Sequence, residues 1–215
     1  MKNILKYEDF LNEVKTDYST DHIIRSGRLL TQEQLMCNEL YEGVSKFPAI
    51  MFTDVVGSSQ MWSDDTLVMK ERIDSHFDLI NDIAKKHDGF VVKTIGDAFM
   101  IYFEDSEDTL ERSIECGINI LRAESLPLRI GICEGGMQEK TYVLQNAKLK
   151  DYFGNVVNVA SRMESKVADP EGIAFSSILE VPKSILDKYN PLELTGKQIP
   201  DLKGASINNV YKIKS

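Results

Sequence analysis

From Phe47 onward, short continuous runs of apolar residues alternate with longer segments in which apolar residues recur every three or four positions. The run at 49–53 is typical of a strand that is buried on both faces. The segment that starts at Thr66 repeats at helical spacing. Asp88 and Gly89 end it, and the glycine is expected to take the left-handed conformation that closes many helices. The folded part of the chain is thus expected to begin with a buried strand and a long helix.

The rest of the chain continues the same alternation. Strands at 90–93 and 98–103 are joined by a tight turn at 94–97, in which Gly96 permits the reversal of the chain. The elements predicted after them are a helix at 107–122, a strand at 128–133, a polar hairpin at about 138–150, a helix at 156–167, a strand at 173–176, a helix at 181–189 and a closing strand at 210–213.

This order of strands and helices predicts an α+β fold. The core is expected to be ferredoxin-like, of the βαββαβ type, with helices packed on one face of a mainly antiparallel sheet. The length of 215 residues fits one sizeable core. Residues 46–215 are therefore assigned to one packed domain, and residues 1–45 to an N-terminal extension that is helical at 1–14 and 31–41 and irregular at 18–28.

The composition narrows the range of partners. The formal net charge is −9, from 25 basic and 34 acidic residues. Non-specific binding to nucleic acid or to an anionic membrane surface requires a basic face, so the charge argues against both. Cys37, Cys116 and Cys133 show no metal-binding spacing and are typical of reduced thiols in a cytoplasmic protein. No apolar run in the sequence is long enough to cross a bilayer.

Two aspartates follow apolar runs in positions suited to metal binding. Asp54 comes directly after the run at 49–53 and shortly before Gly57, and Asp97 follows Gly96 in the predicted turn. Carboxylates that meet at neighbouring strand ends can hold a pair of hard divalent cations such as Mg²⁺, which prefer oxygen ligands. A lone aspartate would be interpreted as an ordinary turn residue, but the repeated pattern favours a metal site.

Four further polar residues are suited to a nucleotide ligand. Asn158 and Arg162 are four apart in the helix predicted at 156–167, so they share one face. An amide and a guanidinium there could hold a ribose and a phosphate on which negative charge builds. Lys93 and Asp151 have the donor and acceptor character needed at the edge of a purine. The structural alternatives are a solvated helix face for the first pair, and a strand-edge lysine and a turn aspartate for the second.

The segments that carry these residues resemble the motifs of one family, the class III nucleotidyl cyclases, which comprises the adenylate and guanylate cyclases. Residues 52–59 (FTDVVGSS), followed by Trp62, resemble the bacterial form of the first metal motif. Residues 92–98 (VKTIGDA) are very similar to the second motif, and residues 153–164 (FGNVVNVASRME) to the third. The resemblance extends from about residue 47 to 213, so it implies that the packed domain is a cyclase catalytic domain.

The resemblance also implies a role for each residue. Asp54 and Asp97, with the backbone carbonyl of Val55, would bind two Mg²⁺ or Mn²⁺ ions in each active site. Lys93 and Asp151 would hold the base, and they are the adenine-selecting pair; guanylate cyclases carry Glu and Cys or similar residues there. Orientation of the ribose, stabilisation of the transition state and binding of the terminal phosphates would fall to Asn158, Arg162 and Lys203, respectively.

A homodimer with two equivalent sites is implied as well. In this family the metal-binding residues of one site come from one subunit, and the base-binding and transition-state residues come from the other. The expected reaction is attack of the ribose 3′-hydroxyl of a nucleoside triphosphate, with ATP favoured, on the α-phosphorus. Its products are a 3′,5′-cyclic nucleotide and pyrophosphate.

Several alternatives remain open from the sequence. One branch of the family, found in bacterial anti-phage defence, resembles the adenylate cyclases but makes cyclic UMP or cyclic CMP from UTP or CTP. A non-catalytic nucleotide-binding module or a polymerase-like palm domain would share part of the pattern. Residues 1–13 also resemble the capsid-targeting segments of proteins packaged in the virions of large tailed phages, although an amphipathic helix that packs on the dimer is the simpler interpretation.

Overall fold

The computed structural model describes residues 24–25, 28–29, 47–144, 147–199 and 209–214. The helices predicted at 1–14 and 31–41 lie outside these ranges, as do the segment similar to capsid-targeting sequences and Lys203. In the segment predicted to be irregular, Ile24–Arg25 (β1) pairs in antiparallel fashion with Arg28–Leu29 (β2). The expectation of irregular structure is therefore wrong at these residues.

The helices and strands predicted between residues 47 and 214 are present within a few residues of their predicted bounds. The strands are Ala49–Val55 (β3), Gly89–Ile95 (β4), Ala98–Phe103 (β5), Leu128–Glu134 (β6), Gln138–Leu144 (β7), Ala147–Phe153 (β8), Gly172–Ser177 (β9), Leu192–Leu194 (β10) and Val210–Lys214 (β11). The helices are Ser58–Asp64 (α1), Thr66–Lys86 (α2), Thr109–Ala123 (α3), Asn155–Lys166 (α4) and Lys183–Tyr189 (α5). The short elements α1 and β10 have no counterpart among the predicted ones. No helix in the described ranges is both long and apolar enough to cross a membrane.

The central sheet confirms the predicted fold class. Its strand order is β10-β11-β9-β6-β3-β5-β4. Strands β6 and β9 are parallel, and the other neighbours are antiparallel. The four strands β6-β3-β5-β4, connected through α2 and α3, form the ferredoxin-like βαββαβ unit. Strands β7 and β8 form a separate hairpin, as their polar sequence predicts.

Helices cover both faces of this sheet, so the prediction of one covered face is wrong. Along β3, Ala49 and Met51 belong to the core that includes residues of α2 and α3, whereas Ile50 and Phe52 belong to a second core with α4. Successive side chains of a strand point to opposite faces. The continuous apolar run of β3 therefore needs an apolar layer on each side, and α4 supplies the second one.

The ends of α2 show how the sequence sets the length of this helix. At its N-terminus the Asp65 carboxylate accepts hydrogen bonds of 3.1 Å from the backbone N–H groups of Leu67 and Val68, which caps the helix. At its C-terminus Asp88, and not Gly89 as predicted, takes the left-handed conformation, with φ 52°. Aspartate tolerates that conformation better than most residues do. Gly89 is required for space instead, because a Cβ there would lie 2.8 Å from Cε1 of Phe103.

Gly131, in the centre of β6, lets α4 approach the sheet at backbone distance. A Cβ at this position would lie 2.2 Å from the carbonyl oxygen of Ala160 and 2.2 Å from the amide nitrogen of Glu164. Both atoms belong to the backbone of α4, which can move aside only if the helix lifts from the sheet. The position of α4, and with it that of Asn158 and Arg162, therefore depends on this glycine.

Gly131→Ala is expected to lower the free energy of unfolding by about 3 kcal/mol, because the added methyl group overpacks a backbone contact. Urea denaturation followed by circular dichroism measures this loss. Gly117→Ala in α3 is the matched control, since the nearest atom to its Cβ would be a side-chain atom, Cδ1 of Ile173 at 3.0 Å. Alanine also favours a helix over glycine, so the control should stay within about 1 kcal/mol of the wild type. Equal stability of the two variants would contradict the close contact between α4 and β6.

Candidate active site

The two aspartates predicted to bind metal lie at the same end of adjacent central strands. Asp54 is the last residue but one of β3, and Asp97 lies in the turn between β4 and β5, where Gly96 has φ 66°. Thr53 of β3 pairs with Phe99 of β5. The chain therefore brings Asp54 and Asp97 to neighbouring positions at this end of the sheet.

One carboxylate oxygen of Asp97 is buried and has no partner among the residues that the structure describes. Its Oδ2 makes no hydrogen bond within the described part of the chain. A buried polar atom in that state costs free energy unless a hydrogen bond or a cation satisfies it. A divalent cation fits this oxygen, because carboxylates are ligands that Mg²⁺ and Mn²⁺ prefer.

The two aspartates would not complete a metal site by themselves. The described residues contain no group of three or more His, Cys, Asp or Glu side chains that could hold a metal ion. A backbone carbonyl such as that of Val55, together with water and substrate phosphate oxygens, would have to supply the remaining ligands. Mg²⁺ sites that act on nucleotides commonly have this composition, with one or two carboxylates from the protein.

Arg129 is a part of this site that the sequence analysis missed. It lies opposite Asp54 in the pairing of β6 with β3, and its Nη2 donates a hydrogen bond of 2.7 Å to Oδ2 of Asp54. The same nitrogen lies 3.2 Å from Oε1 of Glu164 on α4, but Oε1 has no well-directed hydrogen bond from the described residues. The sequence does contain a signal that could have identified Arg129, because a charged residue is unusual inside the apolar strand at 128–132.

Glu164 sits in an environment that disfavours its charge. Burial, and then the nearby charge of Asp54, raise the pKa of Glu164 to about 7, and the attraction of Arg129 opposes them only in part. Arg129 thus bridges from Asp54 on β3 toward a carboxyl group on α4, which ties the helix to the end of the central strand.

The structure brings Lys93 and Asp151 together, as expected for a shared role. Nζ of Lys93 on β4 donates a hydrogen bond of 2.5 Å to Oδ2 of Asp151 on β8, although 58 positions separate the two residues in the sequence. Oδ1 of Asp151 accepts a hydrogen bond of 2.9 Å from the backbone N–H of Tyr152. The lysine side chain is 40% exposed and the aspartate 16%. This arrangement leaves the ammonium group accessible to a ligand while the carboxylate is held in place.

Two stacked tyrosines support this pair from the hairpin side. The rings of Tyr102 on β5 and Tyr152 on β8 are nearly parallel, with centroids 4.1 Å apart and 6° between their planes. The hydroxyl group of Tyr152 donates a hydrogen bond of 3.1 Å to Glu139 on β7. Burial is the largest cause that raises the pKa of Tyr102 to about 12, so this phenol stays neutral. The stack fixes the strand that carries Asp151 against the sheet that carries Lys93.

Asn158 and Arg162 lie one turn apart on α4, as predicted. Asn158 is exposed and Arg162 is half-buried. Glu164, which approaches Arg129, lies two residues after Arg162. Since residues two apart on a helix do not share a face, Arg162 is turned away from the Asp54 and Arg129 pair. The helix thus turns Arg162 away from Asp54, one of the two residues predicted to bind metal.

Known proteins share this sequence pattern and architecture. The family model for the adenylate and guanylate cyclase catalytic domain matches residues 41–214. A receptor-type guanylate cyclase of Caenorhabditis elegans is 29% identical over 205 residues, which is 84% of this chain and 19% of that protein. An adenylate cyclase of Podospora anserina is 32% identical over 170 residues, 66% of this chain and 8% of that protein. The chain thus spans about a fifth or less of the length of these curated relatives.

Solved structures show the same fold. The guanylate cyclase domain of a protein from Catenaria anguillulae, in complex with GTP, superposes with a TM-score of 0.65 at 21% identity, covering 80% of this chain and 97% of that chain. An adenylyl cyclase from P. aeruginosa superposes with a TM-score of 0.62 at 21% identity, covering 80% and 95%. At this level of identity the similarity concerns the architecture of the domain.

Proposed function

Because this chain belongs to the adenylate and guanylate cyclase catalytic domain family, we propose that it is a nucleotidyl cyclase that converts ATP to 3′,5′-cyclic AMP and pyrophosphate. The observation that carries the proposal is the placement of Asp54 and Asp97 at neighbouring strand ends, with Oδ2 of Asp97 buried and unpaired within the described chain. These two side chains, with the carbonyl of Val55, would hold the two divalent cations. When bound, Mg²⁺ or Mn²⁺ makes the ribose 3′-hydroxyl easier to deprotonate and offsets charge on the departing pyrophosphate.

The remaining site residues would hold and orient the substrate. Lys93 would donate a hydrogen bond to a ring nitrogen of adenine, and Asp151 would accept one from its amino group. Asn158 would position the ribose, and Arg162 would stabilise the negative charge that builds on the α-phosphate oxygens. Lys203 would bind the terminal phosphates. The 3′-hydroxyl releases its proton to solvent, and the bond from its oxygen to the α-phosphorus forms as the bond from that phosphorus to pyrophosphate breaks.

The active enzyme is proposed to be a homodimer. Apolar side chains on the hairpin and on the edge strand β4 are exposed to solvent: Val143 is 68% exposed, Phe90 53%, Leu149 47% and Phe153 40%. Apolar surface of this kind is commonly covered by a partner. A second copy would also bring the metal-binding residues of one chain to the Asn158 and Arg162 face of the other. Sedimentation velocity at a series of protein concentrations measures this assembly.

The cytoplasm is the proposed place of action. Cys116 and Cys133 are buried free thiols, and burial raises the pKa of both above the usual range for a thiol. Such thiols are chemically inert and typical of a reducing compartment, which is also where ATP is plentiful.

Exchange of the base-binding pair should change the substrate preference. In Lys93→Glu/Asp151→Cys the donor and acceptor that match adenine are replaced by the residue types that guanylate cyclases carry. The ratio of kcat/KM for ATP to that for GTP is expected to fall by at least about 100-fold, because unmatched polar groups at a base edge discriminate strongly. Steady-state kinetics with each nucleotide measure this ratio.

The matched control makes the same chemical changes at an exposed ion pair on α2. Lys70 and Asp74 are 3.5 Å apart and 69% exposed, and Lys70→Glu/Asp74→Cys should leave the ratio unchanged. An unchanged ratio in the Lys93 and Asp151 variant would overturn the assignment of the base pocket.

The reaction itself is tested by its stoichiometry. A cyclase releases one pyrophosphate for each cyclic nucleotide, whereas a polymerase-like domain gives linear products and a binding module gives neither. Parallel assays of pyrophosphate and of cyclic nucleotide should therefore agree in amount. Pyrophosphate without cyclic product would contradict the proposed reaction.

A further inference from the structure

A buried chain of polar contacts connects α3 to the turn that carries Asp97. The side chain of His76 on α2 is fully buried. Its Nδ1 lies 2.7 Å from Oε2 of Glu124, and its Nε2 lies 3.2 Å from the backbone carbonyl oxygen of Asp97. The imidazole ring thus joins a carboxylate at the end of α3 to the backbone of a residue assigned to metal binding.

The contacts of Glu124 fix the far end of this chain. Its Oε1 accepts hydrogen bonds from the backbone N–H groups of Ser125, at 2.7 Å, and Leu126, at 3.0 Å. Burial opposes the ionisation of Glu124, but the hydrogen bonds from His76 and from these backbone groups keep its pKa below the usual value. An ionised carboxylate and a backbone carbonyl are both acceptors only. The ring of His76 therefore lies between two acceptors, and a ring nitrogen that carries hydrogen can donate to the acceptor that faces it.

Aromatic side chains pack against the ring of His76. Phe99 meets it edge to face, with ring centroids 5.5 Å apart, and Phe77 does so at 6.1 Å. Phe99 also pairs with Thr53, next to Asp54. A buried histidine and carboxylate pair often stabilises a protein no more than two apolar side chains of similar volume would. The arrangement is better explained by what it holds in place.

We propose that His76, held by Glu124, is a positioning residue that fixes the Asp97 carbonyl and thereby the direction of the Asp97 carboxylate at the metal site. This inference rests on the proposed function for the role of Asp97. Partners behind metal ligands commonly act in this way, by orienting the group that touches the ion. Here the contact is made to the backbone of the ligand residue, which leaves both carboxylate oxygens available.

The first test compares His76→Phe with the wild type. Phenylalanine suits the aromatic surroundings but donates no hydrogen bond to Asp97. The Mn²⁺ concentration for half-maximal cyclase activity should rise by about tenfold or more, as it does when such supporting partners are lost. The KM for ATP at saturating Mn²⁺ should change by less than about threefold, because base and ribose contacts remain intact.

A second measurement on His76→Phe requires neither bound metal nor catalytic activity. Hydrogen exchange of the backbone amides in residues 94–98 of the metal-free protein reports local opening of the turn. His76→Phe should speed exchange there, while exchange in β9 stays as in the wild type. His76→Gln, whose amide can still donate to the Asp97 carbonyl, should restore most of the protection and most of the Mn²⁺ affinity.

Two further variants separate positioning from packing. Phe77→Leu removes a ring that packs on His76 and Phe99 but leaves the hydrogen bonds, so it should lower the Tm without changing the Mn²⁺ requirement. Glu124→Gln retains the size of the side chain, and should shift the Mn²⁺ requirement in the same direction as His76→Phe. If His76→Phe does not fold, Glu124→Gln takes its place in the assays.

The outcomes distinguish this inference from the proposed function. The positioning role would be overturned if Phe77→Leu and His76→Phe shifted the Mn²⁺ requirement equally. It would also be overturned if neither His76→Phe nor Glu124→Gln shifted that requirement. Absence of cyclic product from the wild-type protein would instead overturn the proposed function, while the exchange measurement would still report whether His76 holds the turn.

Discussion

Asp97→Asn is expected to reduce cyclic nucleotide formation by about a thousandfold, because bound metal ions supply several kcal/mol of transition-state stabilisation and each 1.36 kcal/mol is a factor of ten in rate. The variant has nearly the same shape as the wild type but loses one carboxylate oxygen and its charge. Oδ2 of Asp97 has no partner within the described residues, so no hydrogen bond of that oxygen is lost. The metal-free variant should therefore be as stable as the wild type or more stable, by up to about 1–2 kcal/mol.

This opposite change of activity and stability separates a functional residue from a structural one. Steady-state assays with Mn²⁺-ATP and thermal unfolding without metal measure the two quantities. Asp88→Asn is the matched control: Asp88 is largely exposed, and asparagine also tolerates its positive φ of 52°. It should retain full activity. A folded Asp97→Asn protein with more than a tenth of the wild-type activity would exclude Asp97 as a metal ligand.

Arg162→Ala should likewise lose activity, by about a hundredfold to a thousandfold, as when one preorganised donor to a developing charge is removed. The larger effect appears when two inactive variants are mixed. If the metal side and the Arg162 side of one site come from different subunits, a dimer of Asp97→Asn with Arg162→Ala contains one intact site. Equal amounts that exchange subunits freely give half mixed dimers, so roughly a quarter of the wild-type activity should return.

A second mixture serves as the control. Asp54→Asn and Asp97→Asn alter the same half of the site, and a mixed dimer of these two contains no intact site. It should therefore stay inactive under the same exchange conditions. Activity is measured as cyclic nucleotide formed per protomer after co-incubation. Recovery in both mixtures, or in neither with exchange verified, would contradict a site built from two subunits.

The sequence determines much of the fold because local patterns and packing agree. Apolar runs and helical periods predicted the order of elements, and the turn with Gly96 was predicted from its glycine. The face that α4 covers was not predictable, because an apolar stripe shows that a helix packs but not on which side of a sheet. The location of α4 depends on Gly131, because only a residue without a Cβ lets the helix backbone approach β6 so closely. The sequence does not show which helix makes this approach.

The site was predictable where a residue lies in or beside a segment that resembles a family motif, and not where its role depends on a contact that only the folded chain makes. The contact of Lys93 with Asp151 follows the expectation that they act as a pair. Arg129 and His76 were missed because both lie outside the segments that resemble the motifs, and their contacts with Asp54 and Glu124 form only in the folded chain. A single histidine in an amphipathic helix has the sequence signature of an ordinary core residue, and the contacts of its ring with Glu124 and with the carbonyl of Asp97 distinguish His76.

The identity of the product tests the proposed cyclase activity most directly. Purified wild-type protein is incubated with Mn²⁺ and equal concentrations of ATP, GTP, UTP and CTP, beside Asp97→Asn, and the products are identified by mass spectrometry. We expect 3′,5′-cyclic AMP as the main product of the wild type and almost none from the variant. Cyclic UMP, cyclic CMP or cyclic GMP as the main product would keep the reaction and overturn the base assignment to Lys93 and Asp151. Formation of no cyclic nucleotide from any of the four triphosphates would overturn the proposed cyclase activity.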